Sequence, residues 1–413
     1  MFIRMIRKLK LILLLLTLLL FLPVSGSVLS PSGEGGSPIR IDARTIDAKT
    51  GERLPFASVF ISGQKSTISN AEGEFVIDAD SSDVLRISYV GYKTVHLRAV
   101  DIGQEVLLSS EGEMLGEVVV LGTDFIIKMA LARHKKEAKK YGKKKSNFFY
   151  RQVSKSNRQC TAFLESFFSA KSAYELSDLQ LVTGRYVSVA SRRTMNPTNY
   201  FTFAQVALFS KPTRLVGAMQ LVPLCEDYKQ YFETDVEVIS DGERRIYVVY
   251  FIPRDPNCWA VTARLYIDAN TFQVLRYQGF GNNDRVWHRE HGSEGGIMTE
   301  RTIEPADYSF VVNYQHDNGF TEVQSVHFLV TYEHAGNRYE TTGMMFNVAN
   351  RFVKGKTAMA FSDNLMSEIS KGKKNNDKHY NQKFWEQLEI VKRTPLESEV
   401  VELFERDNLF GVF

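Results

Sequence analysis

Two short clusters carry the residue types of a metal centre. His134-Lys-Lys-Glu137 has the H-x-x-E spacing of a zinc-ligand pair, and Trp287-His-Arg-Glu-His291 sets a carboxylate beside two imidazoles. The first lies between Arg133 and Lys145, a run with eight basic residues and one acid, and such a cationic surround opposes a divalent cation. The second lacks the i, i+4 histidine pair that places two rings on one helical face, and its setting, NNDRVWHREHGSEGG, reads as a surface loop. No nucleophile elbow, S-x-x-K set or phosphate-cradling glycine loop is present, and carboxylates such as Asp268 and Glu340 have the character of exposed strand positions. The sequence therefore assigns no catalytic, cofactor-binding or metal-binding residue. It predicts a binding or assembly role, with a hydrolase built from scattered residues as the alternative.

Two further features bear on partners. Arg133, Lys135, Lys136, Lys139 and Lys140 would give one helix a basic flank that suits peripheral contact with an anionic lipid surface, at about 1 kcal/mol per residue; the plainer reading is a solvated helix end. Aromatic clusters at Phe148-Phe149-Tyr150, Phe163 with Phe167-Phe168, and Tyr200-Phe201 with Phe203 either line a ligand cleft or fill a β core.

The N-terminus has the layout of an export signal: Arg4, Arg7, Lys8 and Lys10, then the apolar run Leu11 to Leu22, then Val24-Ser25-Gly26. The run is short for a membrane-spanning helix, which needs about 20 apolar residues. Cleavage after residue 26 would remove four of the 51 basic residues and none of the 48 acids. The mature chain would be close to neutral, which gives no reason to expect nucleic acid as a partner. The expected location is the periplasm, or in association with an outer membrane. Three cysteines, Cys160, Cys225 and Cys258, are too few for a disulfide scaffold. Cys225 with Cys258 is the candidate disulfide, and buried inert thiols are the alternative.

After a Ser-, Gly- and Pro-rich leader over 27–37, short strands follow at close spacing, with no helical period before Thr123. IRIDARTID, FASVFI, EFVIDA, two strands about Gly91 and EVLLSS, separated by Gly, Asn and Asp turns, describe a small Greek-key β-sandwich over 38–110. The run D-x-x-T-G-E-x-L-P-F-A-S-V-x-I, the turn Asn70-Ala-Glu-Gly-Glu-Phe75 and the run Ile87-Ser-Tyr-Val-Gly-Tyr-Lys93 resemble the carboxypeptidase-regulatory-like, transthyretin-like domain. That resemblance implies a core of Phe56, Val59, Phe75, Ile77, Leu85, Ile87 and Tyr89, and no peptidase activity.

Residues 111–122, containing EMLGEVVVLG, are similar to the segment that follows this sandwich in TonB-dependent receptors, where a plug and a membrane barrel come next. Here a linker strand is expected, and then a helix: Phe125, Ile126, Met129, Ala130 and Ala132 recur at helical spacing, with Thr123 or Asp124 as its cap. The roughly 290 residues that remain cannot hold a 22-stranded barrel with its plug, although a small outer-membrane barrel would fit. Instead DVEVI, RIYVVYFI, AVTARLYID, FQVLRYQGF, YSFVVNYQ, TEVQSVHFLVTYEH and RYETTGMMFNV read as successive hairpin strands. Thr394-Pro395-Leu396-Glu397 is a capping box heading a last helix.

The step ARLYID, turn, FQVLRY looks like that of LolA/LolB-like half-barrels, which bind acyl chains in the periplasm. The ending F-W-E-x-x-x-I-V-x-R-T-P-L-E is similar to a family of exported proteins that joins the same sandwich to such a sheet. The predicted protein is mainly β, with an α+β second domain over 123–413: a curved antiparallel sheet, half-barrel-like, whose concave apolar face is covered by helices near Phe125 to Tyr141 and Leu396 to Asp407. The expected ligand or partner is a lipid-like amphiphile or an envelope protein, with no cofactor.

Overall fold

The computed structural model describes residues 37–61, 65–110, 122–142, 144–188 except 175, 224–254 except 243, 262–283, 290–294, 297–301, 306–348 except 318 and 335, 382–386 and 390–412 except 408. The leader 1–36, the linker 111–121 and Cys258 lie outside these residues.

The sandwich forms as the sequence predicts, from β1 (Pro38–Asp47), β2 (Ser58–Ile61), β3 (Lys65–Ile68), β4 (Glu74–Asp80), β5 (Val84–Ser88), β6 (Val95–Arg98) and β7 (Glu105–Leu108). One sheet has the order β4-β1-β7 and the other β3-β2-β5-β6. Alternating residues point between them, so Ile41, Val59, Phe75, Ile77, Leu85, Ile87 and Val106 make one core. Asn70 fixes the predicted turn: its Oδ1 accepts the backbone N–H groups of Glu72 and Glu74, each at 2.9 Å. Phe56 departs from its expected core place and leaves the sandwich to meet the second domain, described below.

Helix α1 (Thr123–Tyr141) comes next, followed by the long strands β8 (Lys144–Ser156), β9 (Gln159–Ser172) and β10 (Leu176–Ser188) and the single turn α2 (Tyr228–Tyr231). Then come β11 (Phe232–Ser240), β12 (Arg245–Pro253), β13 (Thr262–Asp268) and β14 (Val274–Asn283), with β15 (Glu290–Glu294) and β16 (Ile297–Arg301) as a separate hairpin. The chain closes with β17 (Ala306–Asp317), β18 (Phe320–His334), β19 (Asn337–Asn347), α3 (Gln382–Glu386), α4 (Pro395–Arg406) and β20 (Gly411–Val412). The large antiparallel sheet runs β11-β12-β13-β14-β17-β18-β19-β8-β9-β10-β20. It is curved and open: among the described residues β11 pairs with no strand but β12, so the small closed barrel is not formed. Strands β8 and β9, which the sequence offered only as aromatic clusters, and β10, which it did not mark, join the later strands through the β19–β8 pair, Tyr339 opposite Ser156 to Asn347 opposite Phe148.

Period-2 alternation gives this sheet two different faces. One carries Tyr150, Phe168, Tyr247, Val249, Leu265, Tyr277, Phe310 and Phe328 and is packed by α1 through Ile126, Ile127 and Ala130. The helix register differs from the expected one, because Phe125 and Met129 are exposed at 48% and 36%. Its N-cap is Gly122 with no side-chain cap; Asp124 instead pairs with Lys128 and Lys229 and accepts from the Tyr228 hydroxyl.

Two glycines on this face answer two phenylalanines. Gly279 lies opposite Phe310 and Gly343 opposite Phe328, and a Cβ at either glycine would come within 2.3 and 2.2 Å of the ring.

The other face, called outer here, carries Phe149, Phe167, Met344 and Phe346 under Trp385, Ile390 and Val391, and Val153, Phe163 and Val187 under Val400, Val401 and Phe404. Helix α4 therefore covers the face opposite α1, not the same face as expected. Its capping box is formed: Thr394 Oγ1 accepts from Glu397 N at 3.3 Å, and Glu397 Oε2 accepts from Thr394 N at 2.9 Å.

Candidate functional site: the cavity between sandwich, sheet and C-terminal segment

The sandwich also sits on the outer face. Ser58 Oγ donates to Gln324 Oε1 (3.0 Å), Thr67 Oγ1 to the Ile390 carbonyl (2.8 Å) and Lys392 Nζ to Asp42 Oδ1 (2.6 Å). Where sandwich, β17 to β19, β8 and the start of α4 meet, they enclose a cavity of about 450 Å³. Its apolar lining comes from Phe56, Val311, Leu329, Met344 and Leu396. Leu329 and Leu396 are 37% and 40% exposed, although each is a large apolar side chain.

The charged groups along the cavity are satisfied by protein partners. Arg151 pairs with Glu165 (2.8 Å) and Glu397 (3.2 Å), Lys155 with Glu340 (3.1 Å) and Glu72 with Arg53 (3.1 Å). Among the described polar groups of the wall, Asn70 Nδ2 lacks a hydrogen-bond partner, and so does His327. Its ring is 4% exposed, its Nε2 has no hydrogen-bond partner, and Phe56 stacks on it with centroids 3.4 Å apart at 16°. Burial pushes its pKa well below the ordinary histidine value, and the positive charge of Arg276 adds to that. Phe56 holds this position at φ +66°, a left-handed conformation that costs a bulky residue about 1–2 kcal/mol. A phenylalanine expected in the sandwich core has been spent on covering a histidine of the neighbouring sheet.

The residues singled out from sequence fall elsewhere. His134 packs edge-on against Tyr174, and Glu137 is engaged by Arg133 Nε (2.7 Å), Gln273 Nε2 (2.9 Å) and Thr321 N (3.1 Å), so H-x-x-E serves the packing of α1. Among the described residues no group of three or more metal-type ligands is brought together. Glu290 and His291 open strand β15, where pairing with Arg301 and Glu300 supplies their backbone partners in place of the expected loop; residues 284–289 lie outside the description. Lys135, Lys136, Lys139 and Lys140 are exposed on one flank of α1, Lys135 bonding Glu226, while Arg133 is turned to Glu137. Cys225 is buried with a free thiol, and burial raises its pKa to about 11. The junction cavity itself was missed from sequence: it depends on which sheet face the sandwich and α4 choose, and only the out-of-pattern His327 and Arg276 on strand positions hinted at it.

Residues 44–120 match the family model of the CarboxypepD_reg-like domain. No curated protein sequence matches the chain. Among solved structures, the chain is similar to a LolA superfamily protein from Nitrosomonas europaea at 8% identity and a TM-score of 0.22, over 57% of this chain and 96% of that one. It is also similar to a DUF1329 family protein from Desulfovibrio piger (6% identity, TM-score 0.23, 58% and 96% covered). A third match is the MucA/MucB complex of Pseudomonas aeruginosa (12% identity, TM-score 0.17, 57% and 99% covered). With these identities and TM-scores, no function is transferred from them.

Proposed function

We propose that this protein is an exported, non-enzymatic binding protein of the cell envelope, and that the junction cavity holds an apolar or amphiphilic ligand. One observation carries the reading: a cavity of about 450 Å³, walled by Phe56, Val311, Leu329, Met344 and Leu396, with charged groups that are already paired. Small-molecule sites fall in the range of roughly 300–1,000 Å³ and have this makeup of apolar walls with a few polar groups. An alkyl chain buried there gains about 0.8 kcal/mol per CH₂, enough for tight binding without any catalytic group. The exposed lysine flank of α1 lies in a different region and would serve, at most, to bring the protein to an anionic surface.

Native mass spectrometry of the mature protein, followed by titration of delipidated protein with a fluorescent fatty acid, tests the reading. Saturable one-to-one binding that weakens at least tenfold in Leu329→Trp, which fills the cavity from an exposed position, is the expected result. An absence of saturable binding, or binding that Leu329→Trp leaves unchanged, would remove the cavity as a ligand site. N-terminal sequencing of the envelope fraction should find a chain that begins near Ser27.

A further inference from the structure

Among the described residues the outer face buries three arginines, and one of them pairs with no carboxylate there. Arg151 and Arg185 are each 1% exposed and share the carboxylate of Glu165, with Glu397 and Glu405 as second partners. Arg276, on β14, is 7% exposed. Its Nη2 donates to the Tyr89 hydroxyl at 3.1 Å, and its guanidinium lies 4.8 Å from the Tyr89 ring centre and 5.8 Å from that of Tyr266. Among the described residues no carboxylate pairs with it, and its Nε has no hydrogen-bond partner.

A buried guanidinium facing only phenols is costly, because burial removes the water that stabilised the charge and neutral rings return a small part of it. Strand register sets His327 on the same face: Arg276 lies opposite Asn313, Asn313 opposite Ser325, and His327 one step further along β18 on that side. Asn313 and Ser325 satisfy one another at 3.0 Å. Two buried nitrogens therefore stand without partners under the sandwich, Arg276 Nε on β14 and His327 Nε2 on β18, on the same face with β17 between them. The roof over both comes from the sandwich: Tyr89 lies on the guanidinium and Phe56 on the imidazole.

We propose that Arg276 and His327, with the Tyr89 hydroxyl, form a recognition site for an oxyanion, the carboxylate or phosphate head of a single-chain amphiphile whose apolar body lies in the adjoining cavity. The proposal rests on the cavity being a ligand site, and specifies its ligand. The guanidinium edge that carries Nε supplies a planar pair of donors matched to two oxygens of a carboxylate or phosphate. A neutral imidazole adds one N–H, and the Tyr89 hydroxyl can turn from Arg276 to the same anion. His327 lines the cavity, while Arg276 and Tyr89 lie beyond its lining, so the head would sit past the end of the cavity that His327 and Phe56 close. Lifting the Phe56 ring is the motion that admits the head, and its left-handed backbone lowers the cost of leaving the stack.

Titration of the delipidated mature chain with ligands of one chain length tests this: laurate, dodecyl phosphate, 1-dodecanol and dodecylammonium. The expected result is that laurate or dodecyl phosphate binds at least tenfold more tightly than dodecanol and that dodecylammonium binds more weakly than dodecanol. The ratio of the two anions then tells carboxylate from phosphate. Arg276→Met should erase the preference for anions while leaving dodecanol within twofold of wild type, and Tyr89→Phe, a milder change, should reduce the preference several-fold. Equal binding of anionic and neutral ligands by the wild-type protein would overturn the anion site and leave the cavity reading in place. A preference that survives in Arg276→Met, or in Tyr89→Phe should Arg276→Met not fold, would overturn it as well. Failure of all four ligands to bind would instead remove the cavity reading and this one with it.

Discussion

The C-terminal side of the outer face and the part under the sandwich solve the same problem, a buried arginine, in opposite ways. On the C-terminal side, Glu165 receives Arg151 at 2.8 Å, Arg185 at 2.6 Å and Arg393 at 3.4 Å, while Arg185 is also held over the rings of Trp385 (5.0 Å) and Phe410 (4.5 Å). Under the sandwich, the partners of Arg276 among the described residues are the tyrosines Tyr89 and Tyr266. A network closed by carboxylates holds elements together, whereas a charge with open donors is poised to accept something else. The two regions share one sheet face, so substitutions in each can be compared directly.

The largest effect is expected at Glu165. Its replacement by Gln leaves three arginines without their shared carboxylate, and removal of one partner of a buried pair costs about 3–5 kcal/mol. Denaturant unfolding monitored by Trp385 fluorescence should show that loss. Burial alone would raise the Glu165 pKa; the attraction of Arg393, Arg151 and Arg185 outweighs it and holds the carboxyl well below its usual range. Its stabilising contribution is therefore present above the ordinary glutamate pKa of about 4.3 and is lost as pH falls below it.

The histidines respond in a higher window. Burial lowers His316 to about 4 and His327 well below the usual value. Below pH ~6.5 the unfolded chain takes up protons that the folded one refuses, so stability should begin to fall there, before Glu165 contributes. A pH series of melting temperatures that is flat from 7 to 4 would contradict both histidine assignments.

A middle-sized effect is expected on the face packed by α1. Gly343→Ala would drive a methyl group into the Phe328 ring, at a cost of about 1–3 kcal/mol in a packed core, read from the same unfolding curves. Thr394→Ala should cost about 1 kcal/mol by opening the capping box. The smallest effect belongs to Arg276→Met, expected within about 0.5 kcal/mol of wild type or slightly stabilising, since no carboxylate is left behind. A loss there as large as that of Glu165→Gln would erase the contrast between the two regions.

What could be read from sequence follows the range of the forces involved. The sandwich, the hairpins and the capping box are local: Asp268, read from sequence as an exposed strand position, is buried and its Oδ1 accepts from Asn270 N and Thr271 N in the turn between ARLYID and FQVLRY, and Gly242, Gly319 and Gly336 take the positive φ their turns require. Strands β8 to β10 were not legible, because buried alternation of Phe149, Arg151 and Val153 with Phe148, Tyr150 and Gln152 shows little contrast between faces. The side chosen by α4 was not legible either. It is decided by Arg151 and Arg185 meeting Glu397 and Glu405 across sequence separations of 246 and 220. The candidate site needs the sandwich and α4 to choose their sheet face across such distances, and no local spacing records that; the H-x-x-E spacing at His134 and Glu137, set aside because of its cationic surround, serves packing.

The bonds from Thr67 to Ile390 and from Asp42 to Lys392 span 323 and 350 positions of the chain. Contacts of that span pay the full entropy of loop closure and form late in folding. In a chain that emerges N-terminus first, the sandwich has its own strands complete long before residues 390 and 392 arrive to hold it against the sheet. The roof over His327 and Arg276 is consequently the last part of the molecule to be put in place, and the cavity beside it exists only in the finished protein.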